Sequence, residues 1–179
     1  MRRAFGAAAC TLSLAAAVAG SSVTAASAST MASKTEHFRF VSTSASSPRA
    51  SAIAWGAFTA GGTINTNSGL LRFPGGTFRA AHHRTNSVAQ LNRNSCLFTV
   101  EEHGTYRLGH GTGRYRHISG RGKYTSRVRA VLARNSKGRC AQSRPPRAFQ
   151  QVINAWGSVR GVALNRFPLR WATPGRLGR

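Results

Sequence analysis

The chain is 179 residues long and carries 26 Lys and Arg against 3 Asp and Glu, a formal net charge of +23. The bases are 23 Arg and 3 Lys, Asp is absent, and the acids are Glu36, Glu101 and Glu102. That composition excludes an EF-hand loop, a two-metal centre and a Ser-His-Asp triad, all of which need carboxylates this chain lacks. Glu101 and Glu102 are adjacent, so on a strand they face opposite ways and cannot act as a glycosidase pair.

In chain order, Arg2 and Arg3 open an Ala-rich apolar stretch from Ala4 to about Val23, and Ala26-Ser27-Ala28 supplies small residues for cleavage before Ser29. Residues 1–28 therefore read as an export signal, with a signal helix in its apolar part, and the mature protein is expected to be secreted. Stretches diluted by Gly6, Thr11, Ser13 and Gly20 suit a signal peptide better than a membrane anchor. Two cysteines remain after cleavage, Cys96 and Cys140. An even pair in an exported chain reads as a disulfide, and the loop it closes contributes about 4 kcal/mol in the chain-entropy picture.

Residues 29–35 read as a loose polar leader and 36–162 as one domain. The period there is two. Phe38 and Phe40 alternate with His37, Arg39 and Val41, and Ser51 to Thr59 forms the next predicted strand, with Ile53, Trp55 and Ala57 on one side. Thr63 to Gly69 reads as a polar loop, Leu70 to Phe73 as a short strand and Thr77 to His83 as another. Thr85 to Ser95 reads as a second polar loop. Cys96 to His103 is predicted as a strand turned at Gly104, with Thr105 to Leu108 resuming it. Gly111-Thr112-Gly113-Arg114-Tyr115 recurs as Gly120-Arg121-Gly122-Lys123-Tyr124, a pattern suited to tightly curved antiparallel strands. Lys123 to Arg134 and Phe149 to Val159 alternate cleanly, with a loop tied by Cys140 between them. Residues 163–179 read as a basic, weakly ordered tail. The sum is an all-β domain, a small antiparallel barrel of about eight strands, with closure favoured because it removes edges.

Phe73-Pro74-Gly75-Gly76-Thr77-Phe78, Cys96 through Tyr106 and the paired glycine–tyrosine units resemble a family of small exported proteins of high-GC Gram-positive bacteria without an assigned activity. The glycine–tyrosine pair is also similar to strand pairs of allene oxide cyclase and dirigent proteins. That resemblance implies an eight-stranded barrel with a central cavity for a small apolar ligand. It carries over no catalytic residue, because those enzymes use internal acidic and polar groups that have no clear equivalent here.

Three features bear on chemistry. The charge predicts non-specific, salt-sensitive attraction to anionic polymers or an anionic envelope surface, with Arg107, Arg114, Arg116, Arg127 and Arg129 as the binding cations and no sequence-specific reading of nucleic acid. The histidines lack metal-ligand spacing and read as surface or turn residues, so no cofactor or metal is expected. One of Glu101 and Glu102 faces inward; if it is Glu102, in register with Phe98 and Val100, it serves as an internal ion pair or as the proton-transfer group of an isomerase- or cyclase-like cavity enzyme. A hollow interior holding Glu102 favours the enzyme; a filled interior with a continuous arginine face favours a binding protein.

Overall fold

The computed structural model describes residues 33–162; the expected signal peptide at 1–28 and tail at 163–179 lie outside the described residues. Eight strands close into an antiparallel barrel: β1 (Lys34–Ser42), β2 (Arg49–Trp55), β3 (Ala60–Asn65), β4 (Leu70–Phe73), β5 (Gly76–Asn92), β6 (Leu97–Gly109), β7 (Ser119–Val131) and β10 (Ala148–Arg160). Each pairs with the next along the chain, and β10 returns to β1. Between β7 and β10, β8 (Ala133–Arg134) and β9 (Cys140–Ala141) form a small separate hairpin. Lys34 and Thr35, expected in the leader, are already part of β1, paired with Val159 and Ser158.

Side-chain size explains why the wall closes. On β1, Glu36, Phe38, Phe40 and Ser42 are buried, and on β2 Ala50, Ala52 and Ala54 are buried. Phe38 lies across from Ala54 and Phe40 across from Ala52, so bulky residues on one strand meet methyl groups on the next. Ile53 and Trp55 face outward, and the strand ends at Trp55 rather than Thr59. Ala57 and Phe58 instead leave the strand and turn into the core.

One half of the barrel is solid. Phe58, Phe73 and Phe78 meet Tyr115, which a short 3₁₀ turn (Gly113–Tyr115) delivers across the barrel end. The Tyr115 ring lies 5.1 Å from Phe78 and 5.2 Å from Phe58, within the range for favourable aromatic packing. Tyr115 also donates its hydroxyl to the Pro74 carbonyl at 3.4 Å. This aromatic floor fills the barrel end.

Opposite the floor, β5, β6, β7 and β10 outrun their neighbours: β5 has 17 residues, whereas β4 has 4. The extension corrects two sequence expectations. Residues 85–92 are strand, not loop, paired with 97–103 of β6 after a bulge between Arg84 and Asn86. The alternation there is invisible in the sequence because both faces of that stretch are largely exposed and polar. Gly104 is not a turn; β6 runs through it. A Cβ at Gly104 would sit 2.4 Å from the Tyr124 ring, so the missing side chain is the seat of that ring. The predicted loop at 63–69 is likewise shorter, since Thr63 to Asn65 belong to β3.

The far end of the extension has its own small core of Cys96, Ala130 and Leu132, packed with Phe98 and Phe149. Cys96 and Cys140 are bonded, as the sequence predicts, across a separation of 44 residues with Cα atoms 5.4 Å apart. The bond ties the β5–β6 turn to β9, anchoring the long connection before β10.

Candidate functional site

Above the aromatic floor the barrel is hollow. A cavity of about 250 Å³ lies between Phe38, Phe40, Leu71, Leu108 and Ile153, and is open at a mouth that includes Thr66, Gly69 and His82. Besides Thr66 and His82, its polar lining residues are Glu102, Tyr106, Tyr124, Ser126 and Gln151. An apolar wall with a few convergent polar groups is the usual form of a small-molecule site.

The strand register stacks these groups in layers. Glu36, Gly157, Gly122, Tyr106 and His82 share the lowest, Phe38, Ala155, Tyr124 and Gly104 the next, and Phe40, Ile153, Ser126 and Glu102 the one above. A Cβ on Gly122 would lie 2.1 Å from the Trp156 carbonyl oxygen, and Gly157 is equally tight, so these glycines let two strands approach closely. The second glycine–tyrosine unit therefore has a structural role, closing the wall beneath the cavity and placing Tyr124 over Gly104.

Glu102 faces inward, as its parity predicts. Tyr124 donates its hydroxyl to Glu102 Oε1 at 2.6 Å, and the Arg84 guanidinium approaches Oε2 at 3.7 Å from the rim. Glu102 therefore has one oxygen bonded to a phenol and the other within 4 Å of an exposed guanidinium. The Tyr124 phenol is pushed above the ordinary tyrosine range by burial and then by its bond to Glu102. The His82 ring stands edge-on to Tyr124 at 6.0 Å; this histidine is exposed, as expected of a surface residue, and also borders the cavity. Ser126 and Gln151 bond each other at 3.3 Å.

Tyr106 differs from all of these. It is buried, it lines the cavity, and its hydroxyl has no hydrogen-bond partner. Burial, with the nearby Glu36 carboxyl adding to it, pushes its pKa up to about 12. A buried hydroxyl left without a partner costs about 1–3 kcal/mol, and a bound oxygen would remove that cost.

Glu36 is the acid that the sequence reading passes over, although its parity with Phe38 and Phe40 carried the signal. It is 0% exposed. Its Oε2 accepts the Phe58 N–H at 3.0 Å, and its Oε1 has no partner. Burial raises its pKa to about 7, while backbone N–H bonds, from Phe58 first, pull the other way.

The five predicted binding arginines do not form one site. Arg127 and Arg129 share the outer face of β7, where they line a second pocket of about 320 Å³ with Arg39, Gln150 and Asn154. Arg127 is not free there, because its Nε and Nη2 bond Glu101 at 2.8 and 2.7 Å. Arg107 lies directly across from Arg121, an exposed pair of like charges. Arg114 and Arg116 sit at the floor end. Arg114 is laid over the Tyr115 ring at 5.4 Å, with its Nε buried, so packing uses it rather than solvent. Arg116 is exposed. Among the described residues no three His, Cys, Asp or Glu side chains gather as metal ligands.

No protein-family model, no curated protein and no solved structure matches the chain.

Proposed function

We propose that this is an exported binding protein that holds a small, mainly apolar, oxygen-bearing molecule in the hollow half of its barrel, while its cations keep it near an anionic envelope surface. The observation that carries the reading is the mainly apolar cavity of about 250 Å³ lined in part by Tyr106, whose buried hydroxyl has no hydrogen-bond partner among the described residues. An apolar body fills the space between Phe40, Leu71 and Ile153, and an oxygen acceptor at its end takes the Tyr106 proton donor. Export draws support from the Arg2-Arg3 and Ala-rich opening and from the Cys96–Cys140 bond, which persists in oxidising compartments. Surface attraction draws support from the excess of 26 basic over 3 acidic residues.

Calorimetric titration with octan-1-ol and with octane tests the cavity. The alcohol binds more tightly, and Tyr106→Phe narrows the gap by about tenfold, the effect of one hydrogen bond. Because the variant removes a partnerless hydroxyl, it folds at least as stably as the parent. Equal affinity for both probes in parent and variant contradicts the reading. Retention on heparin at rising salt tests the surface term, which predicts elution that shifts strongly with ionic strength.

A second reading keeps the same cavity but makes it catalytic, and the open interior lined by Glu102, with the arginines scattered, is the outcome expected to favour it. The Glu102–Tyr124 contact of 2.6 Å supports it, because a carboxylate and a phenol held together in an apolar space can pass a proton to and from a substrate. In that reading Glu102 takes the proton and Tyr124 positions it. Glu102→Gln then keeps ligand affinity and loses turnover.

A further inference from the structure

The wall opposite the long β5–β6 ribbon carries a row of aromatic side chains that the cavity does not use. Trp55 on β2, His37 on β1 and Trp156 on β10 are successive partners in the sheet, and Lys123 on β7 follows Trp156. With strands about 4.8 Å apart, the row from Trp55 to Lys123 is about 14 Å long. One step along β1, Arg39 lies across from Ile53 in the next row. Ile53 is 54% exposed, Trp55 42% and Trp156 40%, so three large apolar side chains stand side by side in solvent. Ile53 pairs with Gly61, which offers no side chain to cover it.

We propose that this row is a docking surface for a lipid bilayer with anionic headgroups. The inference narrows the surface attraction proposed above to one partner, and does not depend on the cavity. Two observations favour a bilayer over a soluble polymer. Cations alone would serve a polymer, yet here Arg39 and Lys123 flank indoles, the combination that suits the boundary between headgroups and acyl chains. The His37 and Trp55 rings also stack on each other, 5.4 Å apart and 9° from parallel, so each covers one face of the other and leaves less flat ring surface for a sugar. Charge decides the lipid: of the chain's three acids, Glu36 is buried and Glu102 lines the cavity, which leaves Glu101, bonded to Arg127, as the acid on the outer wall.

The chain has 3 Trp, at 55, 156 and 171, so the variant Trp171→Phe leaves indole fluorescence that reports on this row alone. In that background, vesicles of phosphatidylglycerol and phosphatidylcholine are compared with phosphatidylcholine alone and with soluble polyphosphate. The proposal predicts binding to the mixed vesicles with a blue shift of the emission, little binding to the neutral ones, and no blue shift with polyphosphate. Losing Lys123 to Gln lowers the vesicle partition about fivefold at low salt. Replacing Ile53 by Ser leaves the low-salt encounter intact and removes the fraction that resists high salt. Vesicle binding without a blue shift, an equal shift with polyphosphate, or association of the protein with itself through this row overturns the proposal. Failure on vesicles with retention on heparin intact rejects the bilayer and leaves the broader surface attraction standing.

Discussion

Glu36 and Glu102 both point into the same barrel, two layers apart, and their surroundings differ in almost every respect. Glu36 sits beside the aromatic floor with backbone N–H groups around it, Phe58 at 3.0 Å, and, among the described residues, no salt-bridged cation and one oxygen without a partner. Glu102 sits at the hollow end with a phenol at 2.6 Å and a guanidinium at 3.7 Å, its side chain 24% exposed. The floor keeps its carboxyl neutral into the physiological range by withholding water, whereas the mouth surrounds its carboxyl with donors. The contrast gives the two halves different roles. Rings fill the floor and resist change, while the hollow half leaves its space open and retains polar groups that a guest can use.

The largest expected effect comes from the floor. Phe78→Ala removes a fully buried ring that packs on Phe58, Phe73 and Tyr115, and should cost about 3–5 kcal/mol in a urea melt. A change of the same kind at the hollow end, Ile153→Ala, should cost less, because the ring of contacts around it is already open on one side. Equal losses at the two sites would erase the distinction. Next in size is the Cys96→Ser, Cys140→Ser pair, expected to lose about 2–4 kcal/mol while leaving the floor's aromatic near-ultraviolet signal in place.

Glu36 sharpens the comparison through pH. Its pKa is about 7 in the fold against 4.5 for the free group, so the folded state holds its proton more tightly. The resulting stability is fully present below about pH 4.5 and is lost as pH rises through about 7, up to about 3 kcal/mol in all. Glu36→Gln, the neutral isostere, should match the parent at pH 5 and exceed it at pH 8. A difference between the two proteins that is flat from pH 5 to 8 would refute the buried-acid account. The smallest effect belongs to Tyr124→Phe. It removes the short bond to Glu102 yet leaves Arg84, so stability should move by less than about 1.5 kcal/mol while affinity for octan-1-ol changes by less than the Tyr106 variant's tenfold.

Strand periodicity makes much of this legible in the sequence. Tyr124, Val128 and Ala130 share the inner side of β7 because alternation has only two outcomes, and the same rule turns Glu102 inward. Pairing of Cys96 with Cys140 follows from the expectation of export and an even count. The legible part ends where local pattern loses its grip. Residues 85–92 are strand because β6 pairs with them, not because of their own sequence. Gly104 reads as a turn when its neighbours alone are considered, and only the ring of Tyr124, twenty residues on, explains it. The hollow itself depends on β4 being short and on which rings cross the axis, neither of which a period of two encodes. The scatter of Arg107, Arg114, Arg116, Arg127 and Arg129 over different faces has the same origin, since charge totals carry no information about direction.

The most direct test of the two-halves account is a two-dimensional NMR titration of the full chain with octan-1-ol. Shifts should gather on Phe40, Leu71, Tyr106 and Ile153 and leave Phe58, Phe73 and Tyr115 unmoved. Shifts spread over the floor, or none inside the barrel at saturating alcohol, would contradict it.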